Sequence, residues 1–119
     1  MAGRTEKKNP LVVVDGILVD ASDYKKNKVT IPSSVRLICE SAFENNNYLE
    51  SVVISEGVKK IGGAAFWFCN NIKNVSLPNS IEIIGGNAFY NCPSIKEIKI
   101  GRKNKRNRYC GTGNNLWSK

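Results

Sequence analysis

Apolar residues in this chain fall into columns rather than scattered runs. Val29, Ile31, Val35, Ile38, Ala42, Phe43 and Leu49 are followed 23 positions later by Val52, Ile54, Val58, Ile61, Ala65, Phe66 and Ile72. Another 23 positions on stand Val75, Leu77, Ile81, Ile84, Ala88, Phe89 and Ile95. Ile98 and Ile100 begin a fourth copy that goes no further. A constant period in the twenties marks a solenoid, whose turns cannot bury their apolar residues alone and must stack. The repeats divide as 29–51, 52–74, 75–97 and a partial 98–100.

Within each repeat the pattern predicts local structure. The pairs 29/31, 52/54, 75/77 and 98/100 alternate with period two, so each is a short strand with its two apolar residues facing inward. Stacked, these strands make a parallel sheet, and Pro32 and Pro78 end their strands because proline cannot donate to a ladder. An extended return follows through Val35, Ile38 and their counterparts. Gly62-Gly63 and Gly85-Gly86 allow a sharp corner, although Cys39-Glu40 stands there in the first copy. After the corner a helical turn is expected, since Ala65, Phe66, Cys69 and Ile72 would share one helical face. The three phenylalanines, Phe43, Phe66 and Phe89, are expected to stack in one dry column.

The flanks read differently. Residues 1–10 are polar and charged and suggest a disordered lead-in. Leu11–Val14 and Ile17–Val19 are β-branched runs separated by Asp15-Gly16, the strongest short hairpin signal, with positive φ at both turn residues. Residues 11–28 thus form a hairpin cap, expected to lie across Val29, Ile31 and Val35, followed by a polar loop from Asp20 to Lys28. At the other end, the 23-residue register would put Asn104 and Asn107 in apolar columns, so residues 101–119 are not expected to form a coil. They either cap the open end with Tyr109, Leu116 and Trp117 or leave it exposed, in which case two such ends could pair into a dimer.

The unit Val75-x-Leu77-Pro78-x-x-Ile81-x-x-Ile84-Gly85-x-x-Ala88-Phe89-x-x-Cys92-x-x-Ile95 closely resembles the 23-residue leucine-rich repeat of the BspA-like, or treponemal, class. The likeness covers residues 29–100, and the Val-Asp-Gly-Ile-Leu-Val hairpin looks like that family's N-terminal cap. It implies an α/β solenoid: a short right-handed leucine-rich-repeat stack with parallel strands. It also implies a surface or secreted binding or adhesion protein with no catalytic site in its repeats.

Charge changes the picture less than its total suggests. The net +8 is carried by the termini: residues 9–100 hold nine basic and nine acidic side chains, while residues 101–119 hold six basic and no acidic ones. The basic character is therefore a property of the tails and not of a binding face. The chain has no histidine, which removes the commonest general base and every Ser-His or Cys-His nucleophile pair. No catalytic, cofactor or metal site is expected. The N-terminus has no signal-peptide core, and Leu11–Val19 is too short and too interrupted to cross a bilayer. A cytoplasmic location is expected for this chain, or a secreted or surface one if it is part of a longer protein.

Candidate binding residues are those that vary between fixed columns. On the strands, Thr30, Val53, Ser76 and Lys99 should point outward on the concave face, beside a second row of Lys28, Ser51, Asn74 and Glu97. These could hold a protein or peptide, or be ordinary exposed surface. Trp67 and Phe68 replace Glu44-Asn45 and Tyr90-Asn91 of the sister repeats and either mark a contact site or pack on neighbouring coils. Arg102, Lys103, Lys105, Arg106 and Arg108 could bind a polyanion or nucleic acid, with Tyr109 and Trp117 available for stacking, or simply solubilise a tail. Cys69 and Cys92 share a column with Asn46. They are either a metal or redox pair or small buried residues closing a turn. If neither face nor tail binds, the repeats serve as a spacer in a larger adhesin-like protein.

Overall fold

The computed structural model describes residues 10–101 and the backbone of residues 108–109. The lead-in up to residue 9, the tail residues 102–107 and residues 110–119 lie outside the described residues. Ten strands are described: β1 (Val12–Val14), β2 (Ile17–Asp20), β3 (Lys28–Ile31), β4 (Leu37–Ile38), β5 (Ser51–Ile54), β6 (Lys60–Ile61), β7 (Asn74–Leu77), β8 (Ile83–Ile84), β9 (Glu97–Ile100) and β10 (Arg108–Tyr109). The four-residue strands β3, β5, β7 and β9 stack in parallel as one sheet. Their inward residues are buried in the first three coils, and Ile98 and Ile100 are half-buried in the fourth. β3 and β7 stop at the residue before Pro32 and Pro78.

The return across the coil is more ordered than an extended segment. Its two-residue strands β4, β6 and β8 form a second parallel sheet, which β10 joins opposite β8. Tyr109 pairs with Ile84, a spacing of 25 instead of 23. Residues 101–119 are not expected to form a coil, yet the backbone at 108–109 pairs with β8, two residues out of the repeat register.

The hairpin forms as the sequence predicts. Asp15 and Gly16 take φ of 50° and 80°, and β1 pairs antiparallel with β2. Its position differs from the expectation. β2 does not cover β3; it pairs in parallel with β4, setting Ile17 against Leu37 and Leu18 against Ile38. Leu18 thereby enters the buried column of Ile38, Ile61 and Ile84. The reason is the free ladder edge of β4: Arg36 N–H and Cys39 N–H donate to Gly16 O and Leu18 O at 2.7 and 2.9 Å, and buried peptide groups need such partners.

No helix occurs among the described residues, so the expected helical turn is corrected. After each corner the chain makes successive tight turns instead. Glu44, Trp67 and Tyr90 donate N–H groups to Ser41, Ala64 and Asn87 three residues back, at 3.1 Å each. The alternate N–H groups leave the coil altogether. Phe43 donates to Ala65 O, Asn45 to Trp67 O, Phe66 to Ala88 O and Phe68 to Tyr90 O, at 2.7–3.0 Å. An α-helix would need those same groups for its own bonds four residues back. Left-handed residues at Ser41, Ala64 and Asn87, and again at Asn45, Phe68 and Asn91, recur along these rungs, whose N–H groups point to the next coil and whose carbonyls point back to the preceding one. The third side of the solenoid is thus a hydrogen-bonded ladder without being a regular sheet.

Inside, the phenylalanine column is as expected. Phe43, Phe66 and Phe89 are at most 1% exposed. Their ring centroids lie 4.9 and 5.2 Å apart with planes within 7° of parallel. That spacing is close to the strand-to-strand distance of about 4.8 Å, so one coil per ring fixes the stack. The loop after β2, expected to be merely polar, closes the N-terminal end. Ala21 is buried, and the Tyr24 ring stands edge-on to Phe43 at 6.3 Å while its hydroxyl donates to Lys28 O at 2.6 Å.

Candidate binding face

Pairing between strands puts the outward residues of the first sheet into two rows. Lys28, Ser51, Asn74 and Glu97 stand side by side, as do Thr30, Val53, Ser76 and Lys99. They face outward because strand side chains alternate and Val29, Val52 and Val75 are turned into the core. Ser51, Val53 and Ser76 are half-buried, whereas Lys28, Thr30, Glu97 and Lys99 at the two ends are exposed. The short side chains in the middle leave a recess of about 360 Å³ lined by Ser51, Val52, Val53, Asn74, Val75, Ser76, Glu97 and Lys99. Val53 gives it an outward apolar side chain, Ser51, Ser76 and Asn74 add hydroxyls and an amide, and its charged groups, Glu97 and Lys99, sit at one end.

The other candidates lie elsewhere. Trp67 and Phe68 are on the turn side of the second coil, stacked on each other at 5.1 Å, with Trp67 also tilted against Tyr90 at 6.3 Å. Phe68 is 37% exposed. Arg102, Lys103, Lys105 and Arg106 lie outside the described residues, and Arg108 is described only as strand backbone. A smaller recess of about 160 Å³ at the N-terminal end, lined among others by Tyr24, Lys25, Asn45 and Tyr48, had no signal in the repeat pattern. Lys25 Nζ sits 5.5 Å from the centre of the Tyr48 ring there.

The shared column of Asn46, Cys69 and Cys92 joins coil to coil. Cys69 Sγ donates to Phe43 O at 3.1 Å and Cys92 Sγ to Phe66 O at 3.0 Å. Asn46 Nδ2 donates to Tyr24 O at 2.8 Å, and its Oδ1 accepts from Tyr48 and Leu49 N–H groups. A hydrogen bond with Cys92 and burial together push the Cys69 thiol well above its ordinary range. Both sulfurs are fully buried, and no group of three or more metal-ligating side chains occurs among the described residues. Among the described residues no helix is long and apolar enough to cross a membrane.

Two stacked parallel sheets, a turn ladder and a hairpin cap define a leucine-rich-repeat solenoid. The chain belongs to the BspA-type leucine-rich repeat family, whose six-copy profile matches residues 22–111. Membership of this family suggests a protein-interaction or adhesin-like role, and its repeats are typically non-enzymatic. Among solved structures, the pneumococcal vaccine antigen PcpA is similar over 70% of this chain and 20% of its own, with 26% identity and a TM-score of 0.63. A leucine-rich repeat protein from Eubacterium ventriosum shares the fold over 74% of this chain and 24% of its own, with 23% identity and a TM-score of 0.67. The chain therefore spans about a quarter or less of the length of these proteins. No curated protein matches it.

Proposed function

We propose that this chain is a protein-interaction module that holds a protein or peptide against the outward face of β3, β5, β7 and β9. The observation that carries this is the recess centred on Ser51, Val53 and Ser76. Its lining residues change from coil to coil while the inward columns stay apolar, which separates what folds the chain from what is free to recognise a ligand. The apolar Val53 side chain, set among hydroxyls and an amide with one acid–base end, suits a peptide side chain with polar flanks, since binding sites combine an apolar surface with a few placed polar groups. The likeness to a pneumococcal vaccine antigen supports an adhesin-like setting at or outside a cell surface.

The test is selection of a displayed peptide library on the wild-type protein, followed by binding of the selected peptides to Val53→Asp and Ser76→Arg. Both variants should lose binding at an unchanged melting temperature, because both side chains point away from the core. Peptides indifferent to both changes would move recognition off this face. A protein from which no peptide is selected would fit a spacer instead.

A further inference from the structure

On the turn side of the solenoid, residues 45, 68 and 91 form one ladder position, all left-handed with φ of 63°, 60° and 58°. Asparagine holds two of the three places, as expected where a left-handed backbone is needed. The middle place is Phe68, which gains no burial in the core from being there and is 37% exposed. One face of its ring lies on Trp67, whose centroid is 5.1 Å away. Trp67 in turn leans on Tyr90, and its Nε1–H is shielded with no acceptor among the described residues. An unfavourable backbone state and an exposed ring coincide at one point of an otherwise regular ladder. Strained residues concentrate where a ligand is held.

We propose that Phe68, backed by Trp67 and Tyr90 and flanked by Asn45 and Asn91, is a platform for a neutral carbohydrate. The C–H face of a sugar ring carries weak positive charge and packs on the negative face of an aromatic ring. The carboxamides of Asn45 and Asn91 sit one coil to either side of Phe68, and each offers two donors and an acceptor for sugar hydroxyls. The ladder position itself holds no charged residue, which favours a neutral ligand over an acidic or basic one. Size points the same way: a stable protein interface needs about 800 Å² per partner, far more than one exposed ring with two half-buried neighbours. This site is separate from the strand-face recess and does not depend on it.

The experiment uses Trp67 as its own reporter in a Trp117→Phe background, since the chain has two tryptophans. Cellohexaose, chitohexaose and maltoheptaose are titrated in turn at low and high salt. At least one should change the emission saturably, with an affinity independent of salt because no charge pair forms. Phe68→Asn should weaken that binding by at least about tenfold, or 1.4 kcal/mol, and Phe68→Tyr should keep it. Ser76→Arg should leave it unchanged. The proposal is overturned if none of the three probes binds, or if Phe68→Asn binds as well as wild type. It is equally overturned if displayed peptides, and not glycans, are captured in a Phe68-dependent way. None of these outcomes bears on peptide capture by the strand face.

Discussion

Left-handed residues set the local cost of each coil. Asn45 and Asn91 adopt φ near +60° readily, whereas Phe68 does so against the steric preference of its side chain, at roughly 1–2 kcal/mol. Phe68→Asn should therefore raise the unfolding free energy by about 0.5–1 kcal/mol after the lost Trp67 contact is counted. Asn45→Phe should lower it by a similar amount. Urea denaturation followed by circular dichroism reads both, and a destabilised Phe68→Asn would show that the ring contributes more to folding than its exposure suggests. Cys69 makes a pH prediction. Its thiol is raised above the ordinary 9.0 by the hydrogen bond with Cys92 and by burial, so the fold holds the protonated form. Below pH 9.0 folded and unfolded chains both keep that proton and the contribution is complete. Above it only the unfolded chain releases the proton, so stability falls by up to about 1.4 kcal/mol per pH unit. The denaturation midpoint should drop as pH rises past 9.0, and the part due to this thiol should vanish in Cys69→Ala.

At the scale of the element, the corners and the cap decide how coils join. A Cβ on Gly85 would lie 2.5 Å from Gly63 N, and one on Gly62 would lie 2.7 Å from Glu40 N. Backbone meets backbone there and cannot swing aside, so glycine is required for close approach and not for positive φ. Gly85→Ala should cost about 3 kcal/mol or more, at the upper end of overpacking, with a fall in melting temperature as the measurement. Cys39 fills the equivalent corner in the first coil because it faces the hairpin strand β2 instead of another full coil. Cys39→Gly should change stability by well under that amount. The N-terminal loop closes the phenylalanine column through Tyr24. Tyr24→Ala should cost about 2 kcal/mol, less than the ~3–5 kcal/mol of a fully buried aromatic because its ring is only half-buried. Tyr24→Phe, which keeps the edge contact and loses only the bond to Lys28 O, should cost about 1 kcal/mol.

The molecule as a whole is a stack in which each coil buries its apolar residues against the next, so stability is shared between neighbours. Phe66 is the central test because it touches a ring on both sides. Phe66→Ala should cost about 3–5 kcal/mol, a large part of the ~5–15 kcal/mol total of a small domain. Hydrogen exchange should then accelerate in the first and third coils as well as the second. Acceleration confined to residues 52–74 would mean that the coils fold independently.

Much of this was legible along the chain. The 23-residue period places every inward residue of the first three coils, because burial of a side chain is settled by where it falls in its own coil. Asp15-Gly16 and Pro32 likewise act within two or three residues of themselves. What the chain left open was the destination of each backbone N–H. The hairpin pairs with β4 and not β3, and the groups after each corner bond to the next coil instead of forming a helix. Tyr24, in a loop without periodicity, becomes the lid of the Phe43 ring. Asn45 and Asn91 did carry a sequence signal for the left-handed ladder, but Phe68 in the same column hides it. The strand-face rows could be named from alternation alone. Their recess could not, because it depends on short side chains from two neighbouring coils lying side by side, with Glu97 and Lys99 of the next at its end. Columns repeat within the chain and can be counted; hydrogen-bond partners lie across coils, and only stacking chooses them.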